Sequence, residues 1–348
     1  MRTITKMQTQ ATINRLVRIA AAKLREQLAA VESQVLRPHN EEDAYRQVKF
    51  AIDDCLAELT TTELWGLDNR LPSSVLWNDV GEILCRGWLQ NQARIKPRGY
   101  AGDYEMLARI HENRWCDDPL GRLFDRYFQE QAAPQAVRNR MRMMEEWIVE
   151  GVRRQETGDR RQGTGDRERR MVKVAIVGSA FGSEVREAVQ TMTEDERQHL
   201  SVTLLDMDPA ALEFAAQQLK PLLPGERRKI VPTNVFRLAE RPLLAEPLAG
   251  TDLLLCPGLF DYLDDAQAAA MLRIFWQRMT PGGRMEVFQF APHNPTRAYM
   301  EWLGNWYLVY RDAVQLRALA QAAGISPDAT TIHSEPLGVN LLLTAVKP

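Results

Sequence analysis

The sequence predicts an α/β fold in which a doubly wound sheet follows an N-terminal all-helical domain. Helical periodicity runs through the first 150 residues, whereas apolar runs followed by turn residues recur from residue 171 onward. The length of 348 residues fits about two domains, and a hydrophobic content of 45% is ordinary for a globular protein. We therefore expect a helical domain over 1–150, a linker over 151–170 and an α/β domain over 171–348.

The N-terminal domain is predicted to consist of amphipathic helices. Within 12–34, apolar side chains recur at helical spacing and share one face: Ile13, Leu16, Val17, Ala20, Leu24, Leu28 and Val31. The same pattern continues over 41–59, 75–90 and 137–149. Such a domain either covers a ligand held by the domain that follows it or mediates oligomerisation or docking.

The segment 151–170 holds seven arginines and four acidic residues and contains the near-repeat TGDRRQ and TGDRER. It has no aromatic residue for stacking on bases and almost nothing to bury, which is typical of a solvated low-complexity linker. A basic RNA-binding arm is the alternative interpretation.

A strand–turn–helix–strand unit opens the α/β domain. Val172–Val177 is a buried parallel strand, and Gly178 and Gly182 allow a sharp turn that presents backbone N–H groups to a ligand, with a helix beginning near residue 183. The next strand ends in Asp206, whose carboxylate can accept both hydroxyls of a ribose. The loop reads G-x-A-x-G, with Ala180 in the middle, and therefore departs from the G-x-G-x-x-G of NAD-binding proteins.

The remaining elements follow in a regular order. They are a strand at 251–256, a helix at 266–279, a Pro-Gly-Gly turn at 281–283, a strand at 284–289 and a hairpin formed by 330–335 and 340–346. The order and the terminal hairpin resemble class I S-adenosylmethionine (SAM) dependent methyltransferases, which have a Rossmann-like seven-stranded sheet with an antiparallel last strand.

This resemblance implies SAM as the cofactor and assigns residues to each part of it. Asp208 precedes a proline and is equally suited to be a helix N-cap. The implied contacts are Gly178, Ser179, Ala180 and Gly182 for the methionine, Asp206 for the ribose, Met207, Asp208 and Asn234 for the adenine, and Pro257, Gly258 and Leu259 for the sulfonium.

Two segments are unusual in composition. Residues 96–105, KPRGYAGDYE, concentrate charges and tyrosines between glycines, and we interpret them as a loop that closes on a ligand; Asp103 is alternatively the N-cap of a helix over 104–111. Residues 290–297 follow the fifth strand and should border the reacting centre. The helix predicted after them carries an aromatic stripe formed by Tyr299, Trp302, Trp306 and Tyr310. Such a stripe favours core packing, and cation–π contact with a sulfonium is the alternative.

Together, RGYAGDYEM, NPTRAYMEW and WYLVYR resemble the bacterial family that makes 3-hydroxypalmitic acid methyl ester, a quorum signal. This resemblance implies methylation of a small-molecule carboxylate such as a 3-hydroxy fatty acid. An ionised carboxylate needs no general base, so we expect only groups that orient it: Arg98, Tyr100, Arg297 and Tyr307. Each arginine could instead pair with a nearby carboxylate such as Asp103 or Glu301.

Composition argues against several other classes. The net charge of −2 does not favour nucleic-acid partners, and no apolar run approaches the about 20 residues of a membrane span. The first 14 residues lack an apolar signal core, so we expect a cytoplasmic location. The four cysteines have no C-x-x-C spacing, and no His/Asp/Glu cluster surrounds the motifs, so neither a disulfide framework nor a metal site is expected.

Other reactions compete with carboxylate methylation. A base N-methyltransferase would carry an N/D-P-P-Y/F loop after the fourth strand, and RNA cytosine-C5 chemistry would want a thiolate after the proline, whereas Cys256 precedes it. SAM-dependent cyclisation or aminocarboxypropyl transfer, non-catalytic SAM binding and an NAD-dependent oxidoreductase remain as alternatives.

Overall fold

The computed structural model describes residues 2–35, 41–161 and 170–348, with the side chains of 2–9 and 155–161 left out. The chain forms two compact units. The first comprises 1–135 and 294–308, and the second comprises 136–293 and 309–348. The helical unit therefore includes a segment that follows the fifth strand along the chain, and the division falls at 135/136 where the sequence suggested 150.

The first unit is built from helices. Its described helices are α1 (Arg2–Val35), α2 (Glu41–Thr60), α3 (Arg70–Leu84), α4 (Trp88–Ile95), α5 (Tyr104–His111) and α6 (Gly121–Glu130), with a 3₁₀ turn at Gly66–Asn69. Helix α1 packs along both α2 and α3. The predicted stripe on α1 is its buried face, where Val17, Ala20, Leu24, Leu28 and Val31 have almost no exposed surface.

The sequence predicted a single helix over 75–90, and this was wrong. Helix α3 ends at Leu84 and α4 begins at Trp88. A Cβ atom on Gly87, at the break, would lie 2.8 Å from Cβ of Phe124, so α6 fits closely only against a glycine there. Asp125 of α6 accepts a hydrogen bond from the Leu89 amide at 2.8 Å and so supports the first turn of α4.

The second unit contains a seven-stranded sheet in the order β3-β2-β1-β4-β5-β7-β6. Strand β7 runs antiparallel to both of its neighbours, and the other pairings are parallel. The strands are β1 (Val172–Val177), β2 (Leu200–Asp206), β3 (Arg228–Pro232), β4 (Thr251–Cys256), β5 (Met279–Phe290), β6 (Thr330–Ser334) and β7 (Asn340–Val346). The predicted Rossmann-like seven-stranded sheet with an antiparallel last strand is confirmed.

Helices precede and follow the strands along the chain. They are α7 (Ala132–Arg161), α8 (Ser183–Thr191), α9 (Glu194–Gln198), α10 (Pro209–Leu219), α11 (Asp265–Arg278) and α13 (Ala313–Ala322). Of these, α10, α11 and α13 pack against the sheet. Helix α7 continues through the first part of the expected linker, and residues 162–169 of that linker lie outside the described residues. Short 3₁₀ helices lie at Gly225–Arg227, Val235–Arg237, Pro242–Leu248, Phe260–Tyr262 and Pro327–Ala329.

Two details differ from the sequence predictions. The Pro-Gly-Gly turn lies inside β5, where Gly282 has a φ of 76° and donates a hydrogen bond to the Lys347 carbonyl at 2.8 Å. The helix after β5, α12 (Arg297–Trp302), ends too early to carry the aromatic stripe, so Trp306 and Tyr310 do not lie on it. The core-packing interpretation is confirmed for Tyr299 and Trp302, which are buried.

The parallel register brings the carboxyl ends of three strands to one edge. Strand β1 lies between β2 and β4, with Ile176 opposite both Leu204 and Leu255. The strand order reverses direction between β1 and β4, and in open α/β sheets ligands bind in the crevice at such a switch point. The loops after β1, β2 and β4 are therefore the place to look for a site.

Within the described residues, no helix is both long and apolar enough to cross a membrane. The four cysteines are free thiols, of which Cys55 and Cys256 are buried.

Candidate functional site

The loop after β1 has an unusual backbone. Gly178, Ala180 and Gly182 have φ values of 72°, 44° and 61°, so every second residue lies in the left-handed region. Ala180 is not a glycine, and a left-handed conformation costs such a residue about 1–2 kcal/mol. Strain of this kind persists only where surrounding interactions hold it, and it concentrates at functional sites.

Asp206 holds that loop in place. Its Oδ2 accepts a hydrogen bond from the Ala180 amide at 2.7 Å, and its Oδ1 accepts one from the Asp208 amide at 2.9 Å. Burial raises the pKa of Asp206, while the amide donors act in the opposite direction. A carboxylate offers about four acceptor positions, so these two bonds leave it able to accept ribose hydroxyls.

Exposed apolar side chains lie beside Asp206 and in the loop after β3. Met207 is 41% exposed, and Phe236, which the sequence analysis missed, is 37% exposed. Asn234 accepts a hydrogen bond from the Phe236 amide at 3.1 Å, and Asp208 accepts one from the Ala210 amide at 2.9 Å. The N-cap interpretation of Asp208 is thus confirmed. The one sequence clue to a role for Phe236 is that it lies two residues after the predicted contact Asn234.

The loop after β4 faces the loop after β1. A Cβ atom on Gly178 would have Leu259 as its nearest neighbour, with its Cβ at 4.0 Å, and Leu259 itself is buried. A Cβ on Gly258 would lie 3.6 Å from Nη2 of Arg140 on α7. The loop of the predicted contacts Pro257, Gly258 and Leu259 therefore lies between the glycine loop and Arg140 of α7.

Arg140 is a residue that sequence reasoning missed. Its side chain is 7% exposed, and its Nε and Nη1 atoms are buried without a hydrogen-bond partner among the described residues. Burial lowers its pKa, and the nearby Asp261 and Glu184 counteract that shift. In the sequence it is one of several arginines on an amphipathic helix, and no local signal separates it from the exposed ones.

Glu184, in the first turn of α8, supplies the opposite charge. Its Oε1 atom is buried without a partner, as is Oγ of Ser179 in the glycine loop. Burial raises the pKa of Glu184 to about 7. Buried polar atoms are rarely left unpaired in proteins, and each specific exception needs an explanation. A buried cation, a buried acid and a hydroxyl with open positions suit a zwitterionic ligand group.

Asp261 fixes the loop after β4. Its Oδ1 accepts hydrogen bonds from Gln289 Nε2 and the Phe290 amide, both at 2.8 Å, and burial raises its pKa to about 7. Buried Arg311 donates to Gln289 Oε1 at 2.8 Å and to the Leu263 carbonyl at 2.6 Å. This network ties the loop to the end of β5 and restricts its movement.

The residues expected to orient an acid lie in the first unit, and two of them are paired. Arg98 donates to Glu105 at 2.7 Å, and Arg297 donates to Glu301 at 2.8 Å. The alternative of pairing with a nearby carboxylate is confirmed for both arginines, with Glu105 as the partner of Arg98 and Glu301 as the partner of Arg297. Their role toward a substrate, and that of half-buried Tyr100, stays a prediction.

The segment around Arg98 also contains the predicted helix cap. Asp103 accepts a hydrogen bond from the Met106 amide at 3.0 Å and a second one from Gln92 Nε2 at 2.8 Å. The N-cap interpretation of Asp103 is confirmed, because α5 begins at the next residue. Among the residues that the structure describes, no group of three or more His, Cys, Asp or Glu side chains could hold a metal ion.

No family model matches the chain, and no curated protein matches its sequence. The chain is similar to the crystal structure of a possible exported protein from Bordetella parapertussis, with 18% identity, a TM-score of 0.55 and 97% of each chain covered. It is also similar to a putative O-methyltransferase from Nostoc punctiforme, with 14% identity, a TM-score of 0.46 and coverage of 99% of this chain and 97% of that one. A third similar structure is magnesium protoporphyrin IX methyltransferase from Synechocystis with bound S-adenosylhomocysteine, at 15% identity, a TM-score of 0.43 and coverage of 63% and 88%. The likeness to the Bordetella protein is one of fold over nearly the whole of both chains.

Proposed function

We propose that this protein is a SAM-dependent methyltransferase that converts a small-molecule carboxylate, such as a 3-hydroxy fatty acid, to its methyl ester. The observation that carries the SAM assignment is the set of unpaired buried atoms on Arg140, Glu184 and Ser179, next to a glycine loop braced by Asp206. SAM has an α-amino acid at one end and an adenosine at the other, and these residues match the amino acid and the ribose of the adenosine.

The residues present fit the cofactor. Arg140 would donate to the methionine carboxylate, and Glu184 would accept from the methionine ammonium group. The Ser179 hydroxyl would donate to the carboxylate or accept from the ammonium group. Asp206 would accept the ribose hydroxyls, and the exposed faces of Met207 and Phe236 would cover the adenine. The remaining predicted contacts agree with this orientation: Gly178, Ala180 and Gly182 beside the methionine, Asp208 and Asn234 near the adenine, and Pro257, Gly258 and Leu259 near the sulfonium.

The chemistry asks little of the protein beyond positioning. SAM, when bound, supplies an electrophilic methyl group on a sulfonium. A carboxylate is already ionised at neutral pH, so no residue has to remove a proton. The protein has to hold a carboxylate oxygen about 3 Å from the methyl carbon, in line with the bond that breaks, and to exclude water. The new O–CH₃ bond replaces the S–CH₃ bond, and S-adenosylhomocysteine leaves.

The first test measures cofactor binding. Isothermal titration with SAM and with S-adenosylhomocysteine would compare the wild type with Asp206→Ala and with Glu213→Ala, an exposed acid on α10 that serves as the matched control. We expect binding in the wild type and the control and strong loss in Asp206→Ala. Absence of binding to the wild type would overturn the SAM assignment.

The second test identifies the reaction. Mass spectrometry of incubations with SAM and 3-hydroxy fatty acids should show S-adenosylhomocysteine and a gain of one methyl group on the acid. Methylthioadenosine as the nucleoside product would instead assign cyclisation or aminocarboxypropyl transfer to the same cofactor site. Binding without any product would assign a non-catalytic SAM-binding protein.

A further inference from the structure

A group of cations in the helical unit has no acidic partner. Arg94 and Lys96 lie at the end of α4, and Arg70 at the start of α3 is close enough to lower the pKa of Lys96. Within the described residues, none of the three has a carboxylate within salt-bridge distance. Most other arginines of this unit do have one, as Arg98 with Glu105 and Arg126 with Glu42 illustrate.

Arg94 is held in a fixed orientation. Its Nη1 donates to Ser73 Oγ at 2.7 Å and its Nη2 donates to the Ser73 carbonyl at 3.2 Å. The guanidinium also lies over the ring of Trp77 at 4.8 Å. Burial lowers the pKa of Arg94 to about 10. An oriented, partly desolvated guanidinium without a counter-ion is well suited to bind an anion, because little rotamer entropy remains to be lost.

Lys96 adds a second charge at a strained position. It has a φ of 49°, in the left-handed region that usually takes glycine at a helix end, and its Nζ donates to the Asn305 carbonyl at 2.7 Å. Burial, followed by the neighbouring Arg94, lowers its pKa to about 8. A lysine here complements the carbonyls at the end of α4, but a glycine would relieve the backbone strain and remove the repulsion from Arg94.

Tyr307 completes the group. Its hydroxyl is buried beside Ser73 and Arg94, and burial raises its pKa, so it remains a phenol that can donate a hydrogen bond. Glu301 is the acid whose charge acts on the pKa of Tyr307, and its carboxylate already accepts hydrogen bonds from Arg297, the Gly66 amide and Asn69. Arg94, Lys96 and the Tyr307 hydroxyl thus lie near one another, and within the described residues neither cation has a carboxylate within salt-bridge distance.

We propose that Arg94, Lys96 and Tyr307 form an anion-binding site in the helical unit, and that this site takes the carboxylate of the acid substrate. The identification of the anion as the substrate rests on the proposed function; the existence of the site does not. Arg94 would bind one carboxylate oxygen, with Lys96 supplying a second charge and Tyr307 a donated hydrogen bond. The more obvious arginines, Arg98 and Arg297, would then retain their salt bridges.

The test is titration of the full chain with 3-hydroxydecanoate, with decanol as a neutral ligand of the same length and with inorganic phosphate. The variants are Arg94→Met, Lys96→Gln and Tyr307→Phe, and Arg18→Met is the control because Arg18 is an exposed cation of the same unit. We expect each cation variant to weaken binding of the acid about 10- to 100-fold, as for loss of a charge-assisted hydrogen bond. The control should bind like the wild type, and SAM affinity should be unchanged in all four.

The outcomes separate this inference from the proposed function. Acid binding that survives in both Arg94→Met and Lys96→Gln, or a wild type that binds decanol as well as the acid, would overturn the site. Phosphate binding in preference to the acid would overturn the assignment to a carboxylate. A protein that binds the acid through Arg94 and Lys96 but does not bind SAM would support the site and overturn the proposed function. Tyr307→Phe keeps the ring, so it tests the hydroxyl even if a cation variant fails to fold.

Discussion

The substitution Arg140→Met is the sharpest test of the cofactor site. It removes the guanidinium but keeps an unbranched side chain that can fill much of the same buried space. Truncating one partner of a buried, hydrogen-bonded charge pair costs about 2–5 kcal/mol of binding free energy. We therefore expect SAM affinity to fall by about 30- to 4000-fold, at about 1.4 kcal/mol for each factor of ten.

The same substitution should not destabilise the protein without ligand. Arg140 is buried, and its Nε and Nη1 atoms have no hydrogen-bond partner among the described residues. Its removal also removes the free-energy cost of burying a guanidinium whose Nε and Nη1 atoms have no hydrogen-bond partner in the described chain. We expect a free energy of unfolding in urea that equals or exceeds that of the wild type, although Glu184 loses a favourable neighbour.

SAM titration and urea unfolding together decide whether Arg140 binds the cofactor or supports the fold. Isothermal titration with SAM and urea unfolding would be carried out on the wild type, on Arg140→Met and on Arg142→Met, in which an exposed arginine of the same helix is changed. An unchanged SAM affinity in Arg140→Met would refute the reasoning. A variant that loses both affinity and stability would show that Arg140 supports the fold instead of the ligand.

The remaining predictions concern pH and packing. Burial raises the pKa of Glu184 from 4.5 to about 7, so the folded state holds this proton more tightly than the unfolded chain. The resulting contribution to the free energy of unfolding is fully present below pH 4.5 and is lost as the pH rises through 7, by up to about 3 kcal/mol. Glu184→Gln should remove this dependence in urea unfolding at pH 5 and pH 8. A SAM ammonium against Glu184 favours its ionised form, so the SAM affinity of the wild type should increase between pH 5 and pH 8. Equal pH dependences in wild type and variant would contradict both statements. Arg311→Met should lower the free energy of unfolding by about 2–6 kcal/mol, because it leaves two buried acceptors, the Leu263 carbonyl and Gln289 Oε1, without their donor; the exposed Arg317→Met is the control. Gly121→Ala places a Cβ atom 2.2 Å from the Arg86 carbonyl, and the melting temperature should fall accordingly, since overpacking costs about 1–3 kcal/mol.

Most strands and the glycine loop could be read from the sequence because both depend on local patterns, whereas the arrangement of the sheet was implied by the family resemblance. A buried parallel strand needs an apolar run, and a turn with positive φ needs glycine at Gly178 and Gly182. Asp206 was identifiable for the same reason, since it ends an apolar run at the expected spacing. Each of these features is encoded within a few neighbouring residues.

Helix ends were less predictable, because contacts with other elements decide them. The break between α3 and α4 depends on the fit of Gly87 against Phe124 of α6. The aromatic stripe predicted after β5 continued the helical spacing beyond Trp302, where α12 ends. Helical periodicity by itself contains no information on these terminations.

What the sequence alone determined is the class of fold and the positions of the glycine loop and of the acid that follows β2. What only the tertiary structure decided is which buried or half-buried charged residues lack a salt-bridge partner. Arg140, Arg94 and Lys96 are indistinguishable in sequence from the many arginines and lysines that are exposed or paired. The free energy of a buried charge depends on every group around it, and those groups come from distant parts of the chain: Glu184 from α8 for Arg140, and Ser73 from α3 for Arg94.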